Sequence, residues 1–369
     1  MRQAPPRVPA PPWHAGPPTR RPSPVTGLRL AVVAALAVVV LVVLVVTVGG
    51  GSGAAPASPA PRAQTPSAPA VRQPARVLRY LDAISGTATV AGQHNREPLR
   101  TPALWTDRAR ALTGSYPGLW GSDFAFTDVQ ERPAMVDEAV RQWRSGALVT
   151  LMWHMCPPGR GQVCDWERDV QSRLDDDRWR ELTTDGSALN RAWKQQLDAA
   201  VPSLLRLRDA GVEVLWRPDH ELNDPWAWWG GRPGPDGSSK LFRMTRDYFD
   251  AKGLTNLVWV WSVKDVGVDR LADYWPGDAY VDVVGLDAWM KPFPDPTTYA
   301  AVLKVAGPRP VALTEVGAVP TTAQLAAQPR WTWFMVWAEM LRRSSPTLVQ
   351  HTYADARVLT RDEVSLPAA

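Results

Sequence analysis

The amino-acid sequence predicts an α/β protein, a closed (β/α)8 barrel that follows about 75 residues of a different composition. Three features of residues 76–369 predict the barrel. Eight short, nearly continuous hydrophobic runs alternate with amphipathic segments, which is typical of parallel strands covered by helices. Most of these runs end in polar or ionisable residues, as barrel strands do at the end that carries the chemistry. The segment is also only slightly longer than the ~250 residues of a typical barrel of this kind.

The predicted strands are short runs of mainly apolar, often β-branched or aromatic residues. In chain order they are Thr87–Gln93, Gly118–Asp123, Ala147–His154, Val212–Arg217, Asn256–Ser262, Val281–Leu286, Pro310–Glu315 and Trp333–Trp337. Between them, apolar positions recur at helical spacing, most clearly over Pro133–Trp143 and Ala192–Leu207.

The residues before the barrel predict three segments. Residues 1–29 are rich in proline and arginine and contain no acidic residue, which is typical of a cytoplasmic tail beside a membrane. Residues 30–48 are uncharged and almost entirely apolar. At a rise of about 1.5 Å per residue, a helix of this length nearly spans the ~30 Å hydrocarbon core of a bilayer. Residues 49–75 consist mainly of Gly, Ala, Pro and Ser and predict a disordered linker.

The apolar run is longer than the about 7–15 residues of a cleaved secretory signal, which favours a retained single-pass anchor. The tail would then be cytoplasmic and the barrel extracytoplasmic. Small residues around Ala55 and Ala57 leave signal cleavage and secretion as the alternative.

The charge and the cysteine content of the sequence indicate which partners and which kinds of site to expect. The net charge of +4 comes partly from the tail, and no Lys/Arg run interleaved with aromatics occurs in residues 76–369, so we expect no nucleic-acid partner. Cys156 and Cys164 lie in a Pro/Gly-rich loop and predict a disulfide in an oxidising compartment. A metal site would need further ligands, and only His154 is close in sequence.

Eighteen of the 19 tryptophans follow residue 75. Flat indole rings stack on the apolar faces of sugars, so this excess favours a carbohydrate ligand, although any single tryptophan can equally belong to a core. Polar residues follow the predicted strands and should meet at one rim of the barrel. They are His94, Asn95, Asp123, His154, residues 217–223, Asp287 and Glu315, with Trp337 at the last strand.

Two glutamates at this rim can form the pair that glycoside hydrolysis with retention requires. One carboxyl group donates a proton to the leaving oxygen, and the other attacks the anomeric carbon. Glu221 follows the fourth predicted strand in WRPDHELNDPWAWWG (216–230), and Glu315 ends the seventh in ALTEVG (312–317). The tryptophans after Glu221 indicate an apolar setting, which raises the pKa of a carboxyl group.

Taken together, these motifs resemble glycoside hydrolase family 26, the β-mannanases and relatives within the large clan A of barrel glycosidases. The resemblance rests on VLRYLDAISGTATVAGQHN (77–95), LVTLMWHM (148–155), RPDHELN (217–223) followed by WAWWG, NLVWVWS, VDVVGLDAW and TEVG, and it continues through YADARVLTRDEV (353–364). The Arg-Pro-x-His-Glu-x-Asn motif is specific, whereas Thr-Glu is weak alone.

The resemblance implies a retaining glycosidase acting on β-linked polysaccharide, with β-1,4-mannan as the default substrate. It implies Glu221 as acid/base and Glu315 as nucleophile. We expect substrate contacts from His94, His154, His220, Asn223, Trp226, Trp229 and Trp337. Supporting roles are expected for Arg217, Asp287 and Trp289.

Several of these roles have alternatives. His94 and His154 are either substrate ligands or hydrogen-bonded structural histidines, and Asp123 and Asp287 either bind sugar or orient other groups. Arg217 is expected to set the charge state of the carboxylates rather than to bind sugar.

Three positions depart from the family pattern. Trp289 stands where barrel glycosidases of this clan usually have a tyrosine that holds the nucleophile. Asp219 replaces a commonly apolar residue, and Asp224-Pro225 replaces a commoner glycine.

Xylan, mixed-linkage glucan and an exopolysaccharide made by the same cell are alternative substrates, and a non-catalytic glycan-binding barrel is the alternative from another class. The presence of both glutamates and His220 favours an enzyme. Because two carboxyl groups suffice for this reaction, we expect no cofactor and no metal. We expect a monomer.

Overall fold

The structure, a computed structural model, describes residues 75–96 and 99–368. The tail predicted over residues 1–29, the span over 30–48 and, apart from Ala75, the linker over 49–75 lie outside these residues. Within the described ranges, no helix combines the length and the apolar character needed to cross a membrane.

Eight parallel strands form a closed barrel, which confirms the predicted α/β class and the (β/α)8 TIM barrel. They are β1 (Thr89–Asn95), β2 (Leu119–Asp123), β3 (Leu148–Met152), β4 (Val214–Arg217), β5 (Leu257–Lys264), β6 (Val283–Ala288), β7 (Val311–Val316) and β8 (Trp331–Val336). Strands adjacent in sequence are adjacent in the sheet, and β1 pairs with both β2 and β8, which closes it. All eight predicted strands are present, with ends that differ from the prediction by at most two residues.

Helices cover the outside of the barrel. They are α1 (Arg76–Ile84), α2 (Leu104–Thr113), α3 (Arg132–Arg144), α4 (Asp176–Leu182), α5 (Ala188–Asp209), α6 (Ser238–Ala251), α7 (Pro296–Ala306), α8 (Thr322–Ala327) and α9 (Pro346–Tyr353). The two predicted helices are therefore confirmed as α3 and α5. Between β5 and β6 the chain instead forms two 3₁₀ segments, Val268–Tyr274 and Asp278–Tyr280. Pro276 lies between them and cannot donate the amide hydrogen bond that a continuing helix needs.

Below the C-terminal rim, the interior of the barrel is filled by packed apolar side chains. All eight strands contribute to it, with Val90, Leu119, Leu148, Leu215, Val258, Val260, Val283, Ala312, Trp333 and Met335. Val77, Tyr80 and Leu81 of α1 pack on this cluster and close its N-terminal end. A short strand, β9 (Val358–Leu359), pairs with the start of β1. The C-terminal rim is therefore the part of the barrel interior that carries polar groups.

Tryptophans form much of the packing. Nine of them are less than 2% exposed, namely Trp120, Trp193, Trp216, Trp228, Trp229, Trp259, Trp261, Trp331 and Trp333. Tryptophan thus serves the core at these positions, and the other tryptophans of the described residues are the candidates for stacking on a sugar.

Candidate active site

The alternation of side chains along the strands decides which residues face the barrel mouth. In β5, Val258 and Val260 belong to the inner core, whereas Trp259 and Trp261 pack against the helices. The same alternation directs Ser262 and Lys264 inward. Across the other strands it gathers His94, Asp123, Arg217, Asp287 and Trp337 at the same end.

Glu315 reaches the mouth because β7 has one extra residue opposite β6. Leu286 pairs with Leu313 and Asp287 pairs with Glu315, so Thr314 is a bulge. The Thr314 hydroxyl points inward and donates to Asp287 Oδ1 (2.6 Å). A bulge re-aims the following side chain, and here it turns Glu315 inward as well. Gly285 makes room for Thr314, since a Cβ at Gly285 would lie 2.6 Å from the threonine hydroxyl oxygen.

Glu221 lies on the loop after β4, where the chain turns sharply. Asp219 and Glu221 both have left-handed backbone conformations, with φ of 47° and 53°. Such a conformation costs an L-residue roughly 1–2 kcal/mol. Two buried hydrogen bonds offset the cost: Trp229 Nε1 donates to the His220 carbonyl (2.7 Å), and the Thr245 hydroxyl donates to Asp219 Oδ2 (3.0 Å). The loop is thereby held with Glu221 over the mouth.

The carboxyl group of Glu315 contacts one cation and one neutral donor. Arg217 donates from Nη2 to Glu315 Oε1 and from Nη1 to Asp287 Oδ2 (2.7 Å). The indole Nε1 of Trp289 donates to Glu315 Oε2 (3.2 Å). Ser262 also donates to Asp287 Oδ2 (2.7 Å), so the aspartate holds the guanidinium in place. Arg217, Asp287 and Glu315 are all at least 98% buried.

The carboxyl group of Glu221 has a cation of its own. Lys264 Nζ lies 3.1 Å from Glu221 Oε2 and 2.9 Å from Asp224 Oδ2. The Asn223 side chain accepts from the Lys264 amide (2.8 Å) and donates to its carbonyl (2.9 Å), which ties the Glu221 loop to the end of β5.

Glu221, Asp287 and Glu315 each place a carboxylate oxygen within 4.8 Å of the other two. Three carboxylates so close resemble a metal site, but Arg217 and Lys264 already supply positive charge by direct contact. The arrangement is two buried carboxyl groups facing each other, each beside its own cation.

Burial is the main cause of the pKa shifts of Glu221 and Glu315. It raises the pKa of Glu221 to about 8; Lys264 opposes this shift, and the charges of Asp287 and Asp224 add to it. Burial also raises the pKa of Glu315 well above its usual range; the charge and hydrogen bond of Arg217 oppose this shift, and the charges of Asp287 and Glu221 add to it.

An aromatic wall borders the carboxyl pair. His154, Trp166, His220 and Trp226 pack together, with the Trp166 and Trp226 ring centroids 5.4 Å apart. Asp123 accepts hydrogen bonds from the His154 amide (3.1 Å) and from its Nδ1 atom, which fixes the imidazole. Burial would raise the pKa of Asp123, but the charge and hydrogen bond of His154 outweigh it and lower that pKa to about 2.

Residues 67–363 match the sequence model of Glycosyl hydrolase family 26. The chain belongs to this family. The resemblance drawn from the sequence motifs is thus confirmed over about four fifths of the chain.

Two relatives of the chain are mannanases by name. The chain is 30% identical over 314 residues to a mannan endo-1,4-beta-mannosidase of Thermothelomyces thermophilus, covering 80% of this chain and 62% of that protein. It is 30% identical over 283 residues to mannan endo-1,4-beta-mannosidase A and B of Caldalkalibacillus mannanilyticus, covering 69% and 54%. The chain therefore spans little more than half the length of these two relatives.

Solved structures agree with the fold. GH26A from a Muricauda species superposes with a TM-score of 0.74 at 34% identity, covering 79% of this chain and 96% of that one. A beta-mannanase from a symbiotic protist of the termite Reticulitermes speratus, complexed with gluco-manno-oligosaccharide, has a TM-score of 0.68 at 27% identity, covering 78% and 92%.

Three of the site residues predicted from the family 26 pattern contact and hold other residues of the site. Trp229 is fully buried and supports the His220 carbonyl. His94 is fully buried and stacks on Trp337 with ring centroids 4.1 Å apart. The Asn223 side chain donates to the carbonyls of Lys264 and Val266. These three side chains therefore position His220, Trp337 and the end of β5.

Other site residues were not predicted from the sequence. Lys264 lies two residues beyond the predicted end of its strand, so a rule based on strand ends would have found it had β5 been extended to its true length. Asp224 was noted only as a departure from the family, and Thr314 and Ser262 only as strand residues. Trp166 follows the disulfide loop and carries no local signal in the sequence.

The predicted disulfide links Cys156 to Cys164 in the structure. Gln196 donates to the carbonyls of Cys156 (3.0 Å) and Gly161 (2.8 Å), and the Cys164 amide donates to the Phe126 carbonyl (3.1 Å). The loop is therefore tied to α5 independently of the bond between the cysteines.

Thiol titration should find no free thiol in the chain denatured without reductant, and two per chain after reduction. Two thiols before reduction would contradict the bond. Because the closed loop is short and Gln196 also holds it, reduction should lower the free energy of unfolding by at most about 2–3 kcal/mol.

Proposed function

We propose that this protein is a retaining glycoside hydrolase that cleaves internal linkages of the polysaccharide β-1,4-mannan. The observation that carries the proposal is the facing pair of buried carboxyl groups, with oxygens of Glu221 and Glu315 within 4.8 Å of each other. A retaining pair stands about 5–5.5 Å apart, whereas an inverting pair is separated by roughly 6.5–9.5 Å to admit a water molecule. The mannanase names of the family 26 relatives support the choice of mannan.

The contacts favour Glu315 as the nucleophile. Both Arg217 and the Trp289 N–H stabilise a carboxylate rather than a carboxylic acid, and both contact Glu315. Among the residues that the structure describes, Lys264 is the cation in contact with Glu221, and Asp224 shares it, so Glu221 receives less stabilisation as a carboxylate than Glu315 does. In the resting enzyme the negative charge therefore lies on Glu315 and the proton on Glu221.

Two displacements at the anomeric carbon complete the reaction. In the first, a Glu315 oxygen bonds to this carbon as the glycosidic bond breaks, and the Glu221 proton passes to the leaving oxygen. In the second, ionised Glu221 takes a proton from water as the water oxygen attacks the same carbon and releases Glu315. Trp337 packs beside Trp289, with ring centroids 6.2 Å apart, and Trp226 packs beside His220, with ring centroids 5.6 Å apart. Both rings can therefore provide apolar faces for the sugar rings that flank the scissile bond.

A substrate screen tests the proposal. The purified full-length chain is incubated with mannan, xylan, lichenan and cellulose, and reducing ends are measured, with Glu315→Ala as the control. Release from mannan alone supports the proposal, and preferential release from another polymer replaces the substrate. No release from any of them, together with binding to one, favours a glycan-binding barrel.

We further propose that residues 30–48 anchor the protein in the cell membrane with the barrel outside. The uncharged run and the arginines before it support this topology. The full chain should remain in the membrane fraction with its barrel open to external protease. A soluble protein that begins near Ala57 or Ser58 would instead mean a cleaved signal.

A further inference from the structure

Lys264 is a buried cation at the C-terminal end of β5, 2% exposed, and its ammonium group contacts the carboxylates of both Glu221 and Asp224. The Asn223 side chain hydrogen-bonds to both the amide and the carbonyl of Lys264. These main-chain hydrogen bonds hold the Glu221 loop beside Lys264 in addition to the ion pairs. Burial would lower the pKa of Lys264, but the two carboxylates outweigh it and raise that pKa above its usual range. Lys264 is therefore a cation in this arrangement.

The site has two similar halves. On one side, Arg217 lies between Glu315 and Asp287; on the other, Lys264 lies between Glu221 and Asp224. In the proposed reaction a single negative charge moves from Glu315 to Glu221 in the first step and returns in the second. A cation therefore stands beside each place where the charge resides.

A cation beside an acid/base group has opposite effects on its two tasks. Lys264 stabilises the ionised Glu221 of the second step, yet it disfavours the protonated form that the first step needs. Asp224 counteracts this, because a second carboxylate on the same ammonium partly neutralises its charge. Neither carboxylate oxygen of Glu221 accepts a hydrogen bond among the described residues, but Lys264 Nζ lies 3.1 Å from Oε2, which leaves Oε1 as the oxygen that exchanges the proton.

We propose that Lys264 and Asp224 are positioning residues that together set the proton affinity of Glu221. Lys264 supports the base of the second step, and Asp224 preserves the acid of the first. This inference rests on the proposed role of Glu221. The other charged groups that face Glu221 are Asp287, Glu315 and Arg217, and they remain unchanged in the variants below.

The pH dependence of kcat/KM tests this assignment, because its alkaline limb reports loss of the proton from the acid in the free enzyme. Lys264→Met removes the charge that lowers the pKa of Glu221, so the limb should move to higher pH. Asp224→Asn removes a charge that raises this pKa, so the limb should move to lower pH. A charge at this distance shifts a pKa by about 1–3 units. The double variant should return close to the wild-type limb.

Matched controls exist on the surface. Lys252 Nζ lies 2.7 Å from Asp198 Oδ1 in an exposed pair. Lys252→Met and Asp198→Asn repeat both substitutions there and should leave the pH profile unchanged. If Lys264 and Asp224 only stabilised the fold, both site variants would lose kcat without moving the limb. Unmoved limbs, or limbs moving in the same direction, would overturn the proposal.

A titration without turnover separates this inference from the proposed function. Carbon-13 NMR of the full-length chain labelled at glutamate carboxyl carbons follows Glu221 directly, with Glu221→Gln identifying its resonance. The midpoint should rise in Lys264→Met and fall in Asp224→Asn even if no polysaccharide is cleaved. Opposite midpoint shifts in an inactive protein would support the charge pair and refute the hydrolase, whereas an unshifted midpoint in an active enzyme would refute only the pair.

Discussion

Glu315→Ala should lower kcat/KM on β-mannan by about 10⁴-fold or more, the scale that removal of a nucleophile has in hydrolases with a covalent intermediate. The physical reason is that the neighbouring carboxylate of Asp287 cannot take its place, because Asp287 is held by Arg217, Ser262 and Thr314 and is oriented toward them. An activated 2-deoxy-2-fluoro-mannooligosaccharide should label wild-type Glu315, as mass spectrometry of its peptide would show, and should label nothing in the variant.

Two further measurements separate this result from misfolding. Glu315→Ala leaves Arg217 with Asp287 as its remaining carboxylate partner, so circular dichroism and thermal unfolding should accompany the assay. Azide fits the space left by the carboxylate and should restore turnover of an activated β-mannoside, giving the α-azide by a single displacement. Retained activity without azide, or a label on another residue, would remove Glu315 from the role of nucleophile.

Glu221→Ala should lower turnover of β-mannan by roughly 10²–10⁴-fold, the usual contribution of general acid–base catalysis. With a dinitrophenyl glycoside the outcome differs, because this leaving group departs without a proton. Glu315 should still form the glycosyl-enzyme, but no base then activates water. A burst of dinitrophenol equal to the enzyme concentration should precede a slow steady state, as rapid-mixing absorbance would show.

Azide again distinguishes the two glutamates. In Glu221→Ala it should attack the glycosyl-enzyme and give the β-azide, the opposite anomer to that expected for Glu315→Ala. Glu221→Gln is the matched control, since it keeps the shape of the side chain and should show the same burst. A burst in the Glu315 variant instead would mean that the two roles are exchanged.

The sequence by itself determined the class and order of the strands. Buried parallel strands are nearly continuous apolar runs, and this is a local property that each segment carries whatever its neighbours are. The two glutamates were also predictable from the sequence, because each lies at or just after the end of such a run and the Arg-Pro-x-His-Glu-x-Asn motif is contiguous. Cys156 and Cys164 were predictable for the same reason, as they lie in one short loop.

Only the tertiary structure decided how the site is charged. Nothing around Thr314 marks it as a bulge, yet that one residue turns Glu315 inward, and a register between two strands is not a property of either one alone. Lys264 and Asp224 are 40 residues apart in sequence. Lys264 contacts Glu221 and Asp224 because β5 lies beside β4 in the barrel. Likewise Trp229, which follows Trp226 and Trp228 in a motif that suggested sugar binding, is fully buried. Packing between distant segments decides which side chains are exposed and which charged groups contact each other. Composition and residue spacing do not determine that packing.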